Sequence, residues 1–180
     1  HLDEDNIPEL AVYVERDPQD TSDPGRLEIY KFTGEKYEII DSINMNFDNS
    51  NNIMVIGKLS EIQNGLLISN EVGAHSAVTY GFILENGKLK NILNSKKIPL
   101  ISTYADNEIK DIDNDGILEF SIYTIDPETN AQSASESDNL IIWYKWDEND
   151  SGEVIMVERP LQYSMDTSTK MFSAEIATSY

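Results

Sequence analysis

Asp111-Ile112-Asp113-Asn114-Asp115-Gly116-Ile117-Leu118-Glu119 runs without a break into Phe120-Ser121-Ile122-Tyr123. The acids stand at i, i+2, i+4 and i+8. In an extended chain, even offsets would place them in a row on one side. Gly116 interrupts the row by permitting a tight turn, so the carboxylates can converge. The residues that follow alternate in the manner of a strand. Calcium takes about six to eight oxygens at roughly 2.3–2.6 Å. Asp111, Asp113, Asp115, Glu119 and the Ile117 carbonyl supply most of such a shell, with Asn114 expected to point outward. Two like charges about 4 Å apart repel by about 4 kcal/mol at an effective dielectric near 20. The curled loop is therefore expected to hold a cation or to be poorly ordered. The alternative is an Asp-rich turn that merely solvates a loop. An EF-hand is excluded, because its twelfth position needs a bidentate Glu and here it is Ile122, inside the strand.

The same pattern opens the chain. His1 to Tyr13 (H-L-D-E-D-N-I-P-E-L-A-V-Y) lies over Asp111 to Tyr123, pairing Asp3 with Asp113, Asp5 with Asp115, Ile7 with Ile117 and Glu9 with Glu119. His1 replaces the first Asp and Asn6 replaces the Gly. Imidazole is a poor calcium ligand, which sets the first loop below the third. Asp17-Pro18 and Asp126-Pro127 follow at matching places. A middle copy starting near Ile56 keeps the strand Leu66-Leu67-Ile68 but puts Lys58, Ser60 and Ile62 where carboxylates are expected.

Each acidic stretch leads through a polar loop to a hairpin pattern. Leu27 to Phe32 with Tyr37 to Ile40, Val78 to Leu84 with Leu89 to Ile92, and Leu140 to Trp146 with Val154 to Val157 are the three hairpins. The second turns on Asn86-Gly87, the strongest short hairpin signal. A further strand is expected before the third loop, at Lys97 to Thr103. Four antiparallel strands per unit make a propeller blade. The expected class is all-β: blade-like repeats at about 1–41, 42–93 and 94–160, with a tail at 161–180, within one domain. About four to eight blades usually close a ring, so three imply a partial or irregular propeller. The polar stretches Asn44 to Asn52 and Thr129 to Asn139 read as surface loops, and Ser173 to Thr178 is a short helix candidate.

The D-x-D-x-D-G-x-x-E loop feeding an apolar strand resembles the FG-GAP and VCBS-type repeats of calcium-binding β-propellers. The resemblance implies calcium at Asp111, Asp113, Asp115, Ile117 and Glu119. It reaches Asp3, Asp5, Ile7 and Glu9 in the first copy, and nothing in the middle one.

Composition narrows the functional classes. Thirteen Lys+Arg against 33 Asp+Glu give a net charge of −20, which argues against nucleic acid or an anionic membrane surface as partner. The absence of cysteine excludes thiolate zinc and disulfide staples. No run approaches the roughly 18 apolar residues of a spanning helix. The chain opens with His1 inside the first loop, so the expectation is a mature fragment or a piece of something longer. His75 is the one internal histidine, and no G-x-S-x-G elbow accompanies it. Trp143, Tyr144 and Trp146 are read as packing between blades, with Tyr30 and Phe32 as counterparts. The expected function is a non-catalytic, calcium-stabilised binding or scaffold module in the extracellular space or on a bacterial surface, with a protein or glycan ligand. An accessory domain of a secreted hydrolase acting on polysaccharide or peptide is the alternative.

Overall fold

A computed structural model describes residues 1–3, 5–15, 19, 22, 24–45, 52–72, 76–93, 101–103, 107–125, 139–147 and 153–158. His75, both Asp-Pro pairs, most of the two polar loops, the tail and the helix candidate Ser173 to Thr178 lie outside them. The described chain is all-β and antiparallel, and it forms three separate sheets.

The first sheet contains β1 (Glu9–Val14), β2 (Arg26–Phe32) and β3 (Tyr37–Asn44), in that spatial order. The second contains β4 (Asn52–Lys58), β5 (Asn64–Glu71), β6 (Ser76–Glu85), β7 (Lys88–Asn91) and β8 (Ile101–Thr103). The third orders β9 (Ile109–Lys110), β10 (Glu119–Ile125), β11 (Asn139–Lys145) and β12 (Glu153–Glu158) as a meander. All three expected hairpins form, as β2–β3, β6–β7 and β11–β12. Asn86 and Gly87 both have positive φ, as a tight two-residue connection requires.

The four-stranded unit holds in width for the second and third sheets; the first sheet has three strands. In the second, β5 pairs with Ala77 to Phe82 of β6, while β7 pairs with Phe82 to Glu85 and β8 with Ser76 to Val78. β7 and β8 therefore share the far side of β6 as two halves of one edge strand. This corrects the expectation for Lys97 to Thr103. The strand in that segment, β8, closes the second sheet, and β9 is the strand that enters the third loop. Buried Ser102 also links this strand to the third sheet, because its Oγ accepts a hydrogen bond from Tyr123 N of β10 at 2.7 Å.

The sheets are stacked by side-chain alternation. Along β5, Leu66 and Ile68 point to one side and Leu67 to the other. Leu66, Ile68, Phe82 and Leu84 share a core with Leu2, Ala11, Leu27, Ile29 and Met45 of the first unit. Leu67, Ile83, Ile92, Leu93 and Leu59 share another with Phe120, Ile122 and Tyr144. The second sheet is thus a middle layer with an apolar core on each face. Asp41 of β3 also reaches it, accepting from Leu89 N at 2.7 Å and from the Lys88 ammonium at 2.8 Å. Ring closure is not seen among the described residues; the three sheets are separate, joined through the two cores.

Tyr144 and Trp146 pack between the second and third sheets, the packing role expected of them. Tyr144 stacks on Phe120 at 5.7 Å between ring centroids. Trp143 points to the opposite face, buried beneath the Lys110 ammonium at 4.9 Å. In the first sheet the matching face has no layer against it among the described residues. Leu10 and Phe32 are exposed there, whereas their counterparts Phe120 and Trp146 are buried or half-buried.

Candidate metal centre: two matched acidic loops

The third loop occupies Asp111 to Leu118, between β9 and β10. Its curl is written in short side-chain-to-backbone bonds. Asp111 Oδ2 accepts from Gly116 N at 2.8 Å, Asp113 Oδ1 from Asp115 N at 3.2 Å, and Asp115 Oδ1 from Ile117 N at 2.8 Å. Glu119 Oε2 reaches back to Ile112 N at 2.8 Å. Two residues take left-handed backbone conformations, Asn114 at φ 62° and Gly116 at φ 86°. Gly116 therefore bears only half of the turn; Asn, which tolerates this region better than most residues, bears the rest. Asn114 is exposed, as expected.

The first loop repeats these contacts atom for atom where its residues allow. Glu9 Oε2 accepts from Leu2 N at 2.8 Å, Asp3 Oδ1 from Asp5 N at 3.1 Å, and Asp5 Oδ1 from Ile7 N at 2.8 Å. Carboxylate oxygens of Asp3, Asp5 and Glu9 lie within 4.8 Å of one another, as do those of Asp111, Asp113 and Asp115. Each triplet can hold a metal ion. His1, in place of the first Asp, is exposed and outside the triplet, so Glu9 completes the first cluster. Ile7 and Ile117 each bring a peptide unit to their loop through the N–H bonds above.

The loops differ in how firmly the sheets hold them. Leu118 N donates to Lys58 O at 2.8 Å, and Leu118 packs on the core shared with the middle sheet. Ile117 is buried as well. The counterpart of Leu118 is Pro8, which has no N–H, and Ile7 is exposed. The first loop is anchored instead by Leu2, which is buried in the core facing the middle sheet.

A lysine stands in each cluster. Glu9 lies directly across from Lys31 in the β1–β2 register, and Glu119 across from Lys145 in the β10–β11 register. The Lys31 ammonium donates to Asp3 Oδ2 at 2.5 Å and lies 2.6 Å from Asp5 Oδ2 and 3.3 Å from Glu9 Oε1. The Lys145 ammonium donates to Asp115 Oδ2 and lies 3.4 Å from Glu119 Oε1 and 3.6 Å from Asp113 Oδ2. The lysine hydrogen bonds hold the Asp5 and Asp115 carboxyls below the ordinary Asp range. Bonds to Asp3 and Asp5 hold Lys31 above its ordinary value. Burial works against the charge of Lys145, but its bond to Asp115 and its close approach to the Glu119 carboxylate outweigh it and raise that group too. Burial pushes Glu119 up.

Neither lysine is singled out by the acidic spacing, since each lies on the next strand, far along the chain. A signal was nevertheless present. Tyr30-Lys31-Phe32 and Tyr144-Lys145-Trp146 are the same aromatic-Lys-aromatic triplet at the same place in the repeat. The lysines also alter the expectation that a curled loop needs a metal to offset its repulsion, because an ammonium supplies part of the counter-charge.

The middle unit requires a correction of register. Leu66 pairs with Phe82, and both face the preceding sheet, as do Phe120 and Tyr144. Leu66 therefore matches Phe120, and Gly65 and Ile83 match Glu119 and Lys145. The connection Leu59 to Gln63 is five residues long, against eight for Asp111 to Leu118. The placement of Lys58, Ser60 and Ile62 on the acidic positions fails for that reason: the turn is too short to superimpose. Ser60 Oγ organises it by accepting from Gln63 N at 3.1 Å. A Cβ on Gly65 would come within 2.3 Å of Leu59 Cδ1. A buried leucine thus fills the space that the carboxylate takes in the other two sheets.

Comparison of the chain with protein-family models, with curated proteins and with solved structures finds no match in any of the three. No helix among the described residues is long and apolar enough to cross a membrane.

Proposed function

We propose that this protein is a non-catalytic binding or scaffold module whose two acidic loops take calcium and clamp the entry of β1 and β10. The observation that carries the reading is the matched convergence of Asp3, Asp5 and Glu9 and of Asp111, Asp113 and Asp115, each triplet within 4.8 Å. Hard carboxylate oxygens without imidazole or thiolate favour calcium over zinc or copper. Glu119 and the Ile117 carbonyl complete the third shell, and Ile7 serves the first in the same role. The resemblance to FG-GAP and VCBS-type repeats points the same way. Loops of this charge and exposure suit the affinity range of extracellular modules, about 10⁻⁴–10⁻³ M. The reading therefore places the protein outside the cell or on a bacterial surface, with a protein or glycan as ligand.

Thermal melting with excess calcium and with chelator tests it. With a dissociation constant near 0.1 mM and calcium near 1 mM, binding adds about 1.4 kcal/mol per site, or roughly 3–6 °C in midpoint for a domain of this size. Asp113→Ala removes the contribution of the third loop, and Asp3→Ala together with Asp113→Ala removes the whole response. Equal midpoints in calcium and chelator would remove the calcium reading.

A further inference from the structure

We infer that Lys31 and Lys145 are resident counter-cations that a divalent ion displaces, so that each loop exchanges an internal ammonium for metal. The inference rests on the calcium reading above and names how that site is regulated. Three observations carry it. Glu119 and Glu9 are fully buried at the side chain, and the Oε1 of each accepts no hydrogen bond of good geometry, facing its lysine ammonium at 3.4 Å and 3.3 Å. Both ammonium groups lie among the oxygens a metal would take: Asp113, Asp115 and Glu119 in one loop, Asp3, Asp5 and Glu9 in the other. The middle sheet, which lacks the carboxylates, has Ile83 at the matching position, so the lysine goes with the acidic loop and not with the sheet.

Oxygens drawn to about 2.3–2.6 Å around calcium leave no room for an ammonium among them. Two cations there would also repel. Lysine suits exchange because its charge is compact and rides on a flexible stem. Both side chains retain a path to solvent, Lys31 at 20% and Lys145 at 16% relative exposure. The metal-free loop then keeps its curl, held by the lysine, and calcium binding releases an amine to solvent.

Two measurements on the full chain test this. Lys145→Gln removes the charge while keeping most of the stem, and calcium titration should show the third loop binding at least about tenfold more tightly. In chelator the same variant should melt below the wild type. Independently, brief acetylation of the wild type, quantified by mass spectrometry, should label Lys31 and Lys145 faster in calcium than in chelator, with exposed Lys36 unchanged. Equal calcium affinity in wild type and variant, or labelling that ignores calcium, overturns the exchange and leaves the calcium reading standing. Binding by the variant alone supports the exchange and removes calcium stabilisation of the natural protein. No binding by either overturns both.

Discussion

Glu9 faces Lys31 and Glu119 faces Lys145, but at the same place the middle sheet has Gly65 beneath Leu59, beside Ile83. The outer sheets and the middle sheet solve one problem, how to lead the chain into β1, β5 and β10, by opposite means. The middle layer has an apolar core on each face. A carboxylate and its counter-charge there would lose hydration that their mutual attraction repays only with excellent geometry. A short turn capped by a buried leucine avoids that cost. The outer loops have Asp residues open to water and can carry charge. The strand arrangement is common to both, so the acidic loop is an addition to a sheet that forms without it.

The sharpest way to break this comparison is to empty the middle turn. Leu59→Ala should cost about 2–5 kcal/mol, the range for a buried Leu that leaves a cavity. Urea denaturation in calcium and in chelator should return the same loss, because the middle turn has no charge cluster. A calcium-dependent loss would mean that the turns are energetically coupled. A smaller effect separates the two acidic loops. Gly116→Ala places a side chain at φ 86° and should cost about 1–2 kcal/mol. Asn6, its counterpart, has no positive φ, so Asn6→Ala should stay within about 0.5 kcal/mol. Equal costs in denaturant melts would show that the loops curl alike despite the sequence difference.

The smallest expected effect lies in pH dependence and contrasts two sheet faces. Buried Glu28 accepts from Tyr30 Oη and from Arg26 Nε, each at 2.6 Å. The β1–β2 and β10–β11 registers give Ile142 and Leu140 as the counterparts of Glu28 and Arg26. The bond from Tyr30, then that from Arg26, depresses the Glu28 carboxyl below its ordinary value of 4.5. A depressed acid contributes stability that is present above its unfolded pKa and lost as pH falls through the folded one. Melting between about pH 5 and pH 3 should therefore show the advantage of wild type over Glu28→Gln shrinking below about 4.5. A constant difference would mean that Glu28 contributes by shape alone.

Much of the candidate site was legible along the chain because its ligands are neighbours in sequence. Asp111, Asp113, Asp115 and Glu119 fall within nine residues, and a loop this short can curl in few ways. The copy at Asp3, Asp5 and Glu9 followed by simple superposition. The hairpins were legible from period-two alternation and from the Asn86-Gly87 turn. The middle register was not, since a five-residue turn and an eight-residue loop leave the alignment free by one position, and one position exchanges the two faces of a strand. β8 was misplaced for a similar reason: Ile101 to Thr103 has too few residues to state a partner, and the side of β6 that β7 leaves open beyond Phe82 takes it.

The sequence by itself determined the all-β class, the antiparallel hairpins and the two clusters of converging acids, because each depends on residues close in the chain. Tertiary structure alone decided which charge answers those acids. Lys31 and Lys145 reach the loops only through the pairing of β1 with β2 and β10 with β11, where cross-strand neighbours are set by register and not by distance along the chain. It also decided that the middle sheet is apolar on both faces, because a layer is known to be covered twice only when both of its neighbours are in place.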